Sequence, residues 1–157
     1  MTKSYSVLQI ALHWAIALLI CANYIISDDM GRAFYTALRG GAVSDWTASF
    51  HVWVGVSVLV LAVLRLLVRQ MSGELHEAPS TLADKAALWG HRALYALMVL
   101  VPTLGVIAWF GGVAISGDLH VIAMNAMMLL VLGHSAMALY HQFVVKDGLL
   151  VKMMRPR

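Results

Sequence analysis

The sequence predicts an all-α protein, an integral membrane four-helix bundle, and three observations carry that prediction. Of the 157 residues, 61% are hydrophobic and 12% charged, whereas soluble chains average about 45–50% apolar and about 25% charged. That much hydrocarbon cannot hide in one small soluble core. The apolar residues fall into four long runs, each near the roughly 20 residues a helix needs to cross about 30 Å of hydrocarbon. Turn-forming residues separate the runs at short to moderate intervals, which favours a single domain over residues 1–157. Disorder, collagen-like repeats and nucleic-acid-binding modules are excluded by the same composition.

The first span covers about 7–26. Lys3 before an apolar run also fits a cleavable signal peptide, but the run is long and has no small-x-small cleavage site, so it reads as a mature helix. Its Cys21 is the only cysteine; it cannot form an internal disulfide and reads as a small buried hydrophobe. Ser27-Asp28-Asp29 through Gly40-Gly41 then reads as a connection. A second span at about 46–68 is followed by Ser72-Gly73-Glu74 through Pro79-Ser80, and a third at about 86–110 by Gly111-Gly112 through Gly117-Asp118. The fourth covers about 119–145.

Basic residues decide the orientation, because loops rich in Lys and Arg stay on the cytoplasmic side. Lys3, Arg65, Arg69, Lys85, Arg92, Lys146, Lys152, Arg155 and Arg157 fall on one side, and only Arg32 and Arg39 on the other. Both termini of a multi-pass membrane protein are therefore expected in the cytoplasm. Asp28, Asp29, Asp45 and Asp118 leave the outer face at 2 − 4 = −2, and Glu74, Glu77, Asp84 and Asp147 leave the inner face at 9 − 4 = +5. The formal net charge of +3 is thus a topology signal and not a sign of nucleic-acid binding.

Six of the seven histidines, His13, His51, His91, His120, His134 and His141, lie in the spans, and His76 lies in a connection. Ionisable side chains in a bilayer are costly and usually face the bundle interior for transport, proton relay or cofactor ligation. His120 and His134 are 14 residues apart, about 21 Å along a helix and offset by about 40° around it. His141 follows on nearly the same face. Imidazoles at two separated depths suit two haems stacked across the membrane better than one compact metal cluster. By depth, His51 pairs with His120. On the cytoplasmic half, His13 can face His134 or His141, and His91 is also available; spacing does not choose.

These residues resemble the bacterial cytochrome b561 family of small four-helix dihaem cytochromes, over nearly the whole chain. The matching features are Tyr5-Ser6-x-Leu8-Gln9-Ile10 with His13-Trp14, His51 with Arg65-Leu66-Leu67-x-Arg69, Gly90-His91 with Pro102-x-x-Gly105, and His120, His134 and His141 followed by Lys146-Asp147 and Met153-Met154. The resemblance implies two haem b groups, with His13 and His134 as axial ligands nearer the cytoplasm and His51 and His120 as axial ligands nearer the periplasm. It implies electron transfer, with superoxide oxidation coupled to ubiquinone reduction as one family activity and exchange between quinol and other acceptors as another. Two imidazoles leave no open position on a haem iron, so outer-sphere electron transfer is expected.

His91 and His141 are then free to supply protons to a quinone near the cytoplasmic end, where Lys146 and Arg92 could hold its anionic form. Hydrogen bonds to backbone, water or haem propionates would explain both histidines equally well. Arg65 and Arg69 are expected to snorkel to the interface or pair with propionates. At the outer end Arg32 and Arg39 offer a small basic patch, but the net −2 argues against strong steering of superoxide. A neutral quinol or a periplasmic redox protein with a basic face fits as well, and the chain would then be an electron-transfer subunit without its own outer small-molecule substrate. A histidine-lined proton or metal pathway is a third reading. Trp14, Trp46, Trp53, Trp89 and Trp109 suit an interfacial belt among the membrane lipids, and Met124, Met127, Met128 and Met137 suit adaptable packing around a macrocycle. Gly55, Gly90, Gly105 and Gly133 are expected to admit close approach of helices or haem.

Overall fold

A computed structural model describes residues 5–72 and 81–154. Lys3, Glu74, His76, Glu77, Pro79, Ser80, Arg155 and Arg157 lie outside the described residues. Helix α1 (Val7–Ile26) starts at a reciprocal cap in which the Ser6 hydroxyl accepts from the Gln9 amide and the Gln9 side chain accepts from the Ser6 N–H, satisfying two donors that a helix start leaves orphaned. The segment after it, read as an irregular connection, contains the nine-residue helix α2 (Met30–Leu38). Its seat is tertiary: Phe34 is buried, and its ring lies so close to Gly117 that a Cβ there would stand 2.9 Å away.

Helix α3 (Trp46–Met71) begins where the Asp45 carboxylate accepts from the Thr47 N–H, and it runs past the expected end at 68. Helix α4 (Leu82–Gly111) starts four residues before the expected 86, because Thr81 and Asp84 cap one another reciprocally. Gly112, at φ 64°, ends it in the left-handed conformation that favours glycine. The expected connection up to Asp118 is then only two residues long. Helix α5 (Ala114–Tyr140) starts five residues ahead of the expected 119, and Gly117 is helical within it because the Phe34 ring fills the space its side chain would need. Past Tyr140 the fourth span widens into a π-helical turn over His141–Val145, closed where the Lys146 N–H donates to the His141 carbonyl at 2.7 Å. A short helix α6 (Leu149–Lys152) follows.

Helices α1, α3 and α4 and the continuous span Ala114–Val145 are each long and apolar enough to cross a membrane. Among the described residues there is no β-strand. α1 packs on α3, α3 on α4 and α4 on α5. Ile16 and Ile20 of α1, Val58 of α3, Val101 of α4 and Met127 of α5 meet in a core at mid-height. Large apolar side chains such as Leu18, Val60, Leu100 and Leu129 face outward, as in a bundle whose solvent is lipid. Cys21 also faces outward and is not the buried residue the sequence suggested. The bundle has a terminal end, where α1 begins and the chain finishes, and an opposite end that carries α2.

Candidate functional site

At the α2 end, α3 and α5 bring His51 and His120 together with ring centroids 5.8 Å apart and planes at 77°. Both rings are held through Nδ1. His120 Nδ1 lies 2.8 Å from the Val101 carbonyl, which can only accept, so Nδ1 carries a proton and the neutral ring has its lone pair on Nε2. The ring lies against Gly105 of α4, where a Cβ would stand 3.2 Å from two of its atoms. His51 Nδ1 lies 2.7 Å from the Ser27 hydroxyl, which also bonds to the Asn23 carbonyl; with the serine proton on Asn23, the hydroxyl accepts from His51 Nδ1, and Nε2 of the neutral ring faces away with its lone pair. Between the helices is a cavity of about 500 Å³ that includes both histidines, Gly55, Gly105 and the methionines Met124, Met127 and Met128. Asp28 and Asp118 also line it, and no Lys or Arg does among the described residues. Tyr35 donates to Asp118 at 3.1 Å, and that bond to a carboxylate pushes its phenol above the ordinary value.

At the terminal end, His134 of α5 stands between two partners. Its ring centroid is 6.3 Å from that of His13 on α1 and 5.2 Å from that of His91 on α4. His91 Nδ1 donates to the Ala87 carbonyl one turn back at 2.7 Å. Thus His91, expected to be free for another role, is beside the His13–His134 pair. His141 is elsewhere: its Nδ1 lies 2.6 Å from Asp147 Oδ2 across the π-helical turn. A shallower cavity of about 290 Å³ next to this turn is lined by Gln142, Phe143, Lys146 and Gly148, and the Gln142 Oε1 is buried without a partner.

Arg65 does not snorkel outward. Its Nη1 donates to the Gln9 carbonyl at 2.7 Å and its Nε to the Tyr95 hydroxyl at 3.2 Å. Arg69 stands 5.0 Å from the centre of the same tyrosine ring, a cation–π distance. The Trp14 indole N–H donates to the Met153 carbonyl at 2.9 Å and ties α1 to the end of the chain. Met137, read as cofactor packing, is exposed on the bundle surface. Gly90 and Gly133 have nothing within 4 Å of the position a Cβ would take, so they admit no close helix contact. Ser27, Tyr95 and the Tyr35–Asp118 bond escape sequence reading, since each acts across long chain separations.

Two imidazoles facing one metal from opposite sides would have ring centres about 6.3 Å apart for metal–nitrogen bonds of about 2 Å, and the separations of 6.3 Å and 5.8 Å lie within about half an ångström of that. Among the described residues no group of three or more histidine, cysteine or carboxylate side chains is arranged for a bare metal ion. His51 and His120, each held through Nδ1 and set in apolar, methionine-rich space, fit an iron whose other ligands come from a macrocycle.

Fold and donor set together fit a helical membrane protein of the haem-binding type. The chain matches the prokaryotic cytochrome b561 family over residues 4–156 and belongs to it. Cytochrome b562 of Cereibacter sphaeroides is 47% identical over 154 residues, 98% of this chain and 96% of that one. Probable superoxide oxidase CybB of Yersinia pestis is 27% identical over 180 residues, with 98% and 97% covered, and Cytochrome b561 homolog 1 of Escherichia coli K12 is 25% identical over 181 residues, with 98% of each. No solved structure matches the chain. Its role is membrane electron transfer with haem b.

Proposed function

We propose that the chain carries single electrons across the bacterial inner membrane, both termini cytoplasmic, between a periplasmic-side donor and the quinone pool. The observation that carries this reading is the placement of imidazole pairs at two depths of α5, His51 with His120 and His13 with His134. When bound, haem b supplies a one-electron couple at each pair. The chain's residues do the rest. Val101 and Ser27 orient His120 and His51, and the methionines shape the space between. Of the two rings near His134, His13 at 6.3 Å suits an iron between them, whereas His91 at 5.2 Å is about an ångström too close.

At the terminal end we assign ubiquinone as acceptor. Of the candidates His91 and His141, His141 is the better placed proton donor, since Asp147 holds its ring beside the cavity that Gln142 and Lys146 line. For the donor, superoxide follows the Yersinia relative's name. Asp28 and Asp118 at the other cavity favour instead a neutral donor or a basic redox protein, with the chain as an electron-transfer subunit.

Purified protein is expected to be red, with a pyridine haemochrome of two haems b per chain; a colourless protein would point to a proton or metal pathway. His51→Ala or His120→Ala should each remove the α2-end haem, and His13→Ala or His134→Ala the other. Retention of both haems by His134→Ala, with loss of one by His141→Ala, would refute the pairing. Reduction of the haems by superoxide and reoxidation by ubiquinone separate the oxidase from the subunit, which is reduced only when a partner protein is present.

A further inference from the structure

Arg65 lies inside α3, in a segment apolar enough to span a membrane. Its two hydrogen-bond tethers place it among the imidazoles of the terminal end. Gln9 precedes His13 by one turn of α1, and Tyr95 follows His91 by one turn of α4, so a guanidinium bonded to both is held about a turn from His13, His91 and His134. Both tethers are neutral oxygens, and among the described residues no carboxylate lies within ion-pair distance of Arg65. A cation held in apolar surroundings without a counter-charge is costly unless something anionic shares its site. The other end has the opposite sign: Asp28 and Asp118 line the cavity of His51 and His120, with no base among the described lining residues.

We propose that Arg65 sets the direction of electron flow, its fixed charge making the centre held by His13 and His134 the stronger oxidant of the two, with Asp118 weakening the centre held by His51 and His120. This rests on the two-haem reading above. One electron leaves the α2-end centre, which is oxidised, and arrives at the terminal-end centre, which is reduced; no bond forms or breaks and no proton is required. Reduction adds one negative charge, and a unit cation about 10 Å away at an effective dielectric of about 20 favours the reduced form roughly tenfold. Tenfold corresponds to about 59 mV for a one-electron couple. Arg65 is thus a positioning residue, acting on the reacting centre through its field.

Spectroelectrochemical titration of the purified dihaem protein tests this, with each midpoint assigned by its absence from His134→Ala or His120→Ala protein. Arg65→Gln keeps a hydrogen-bond donor and removes the charge. It is expected to lower the terminal-end midpoint by the equivalent of about tenfold and to leave the other unmoved, while Arg65→Lys retains most of the original value. An unchanged midpoint in Arg65→Gln, or an equal fall in the Gln and Lys variants, overturns the proposal. Where Arg65→Gln does not accumulate, Asp118→Asn reads the same asymmetry from the opposite side: the α2-end midpoint should rise, and its failure to move is equally fatal. A single haem in the unsubstituted protein would refute the two-haem reading instead.

Discussion

Ser27, one residue past the end of α1, decides which nitrogen His51 offers. With its own proton on the Asn23 carbonyl, its oxygen is the acceptor for His51 Nδ1. Such outer partners fix ring orientation and typically change metal affinity 10–100-fold when removed. On the two-haem reading, Ser27→Ala is therefore expected to weaken haem retention at the α2 end by roughly 10–100-fold, measured by titrating haem-depleted protein, whereas Ser27→Thr retains it. The histidines themselves were readable, since an imidazole in an apolar run is costly enough to need a reason. Their supports were not. A serine after a hydrophobic stretch has the same local signature whether it merely ends a helix or orients a ligand. Likewise the partners of Arg65 are set by how α1 and α4 pack against α3, which no local pattern encodes.

The clearest case at the level of elements is α2. Ser27-Asp28-Asp29 and Gly40-Gly41 suggest a loop, and the helix between them is held by distant contacts, Phe34 on Gly117 and Tyr35 on Asp118. Gly117 misleads for the same reason, as a glycine chosen for space resembles one chosen for a turn. Overpacking a filled site costs about 1–3 kcal/mol, and Gly117→Val places a Cβ 2.9 Å from the Phe34 ring. That variant should melt at lower temperature and be reduced faster by small water-soluble reductants, the second effect following from displacement of α2 over the cavity. Unchanged reduction kinetics would show that α2 does not cover the site. Where caps are local, the sequence is more informative: the four spans were legible, and their ends moved where Thr81 and Asp84 or Gly112 set the boundary. The cap of α3 also titrates. The Thr47 N–H bonded to Asp45 holds its carboxyl below the usual 3.8, so this contribution is complete above that value and is lost as pH falls through the lower folded value. Melting temperatures across this acid range should fall less steeply for Asp45→Asn.

For the molecule as a whole, fusion reporters at either terminus should be active in the cytoplasm, and activity of either outside it would reverse the orientation proposed from the distribution of basic residues. Charge also separates the donors. With only acids among the described charged lining residues of the α2-end cavity, reduction by an anionic donor should speed up as salt is added, and by a basic protein should slow down. The apolar core at mid-height has a further consequence. Ile16, Ile20, Val58, Val101 and Met127 pack together as apolar side chains between the two imidazole pairs, so on the two-haem reading electrons cross a layer in which these five residues offer nothing to carry a proton. Each turnover then displaces net charge through the membrane dielectric, and the voltage itself becomes a term in the driving force, worth up to about 2.3 kcal/mol per electron for each 100 mV across the full bilayer.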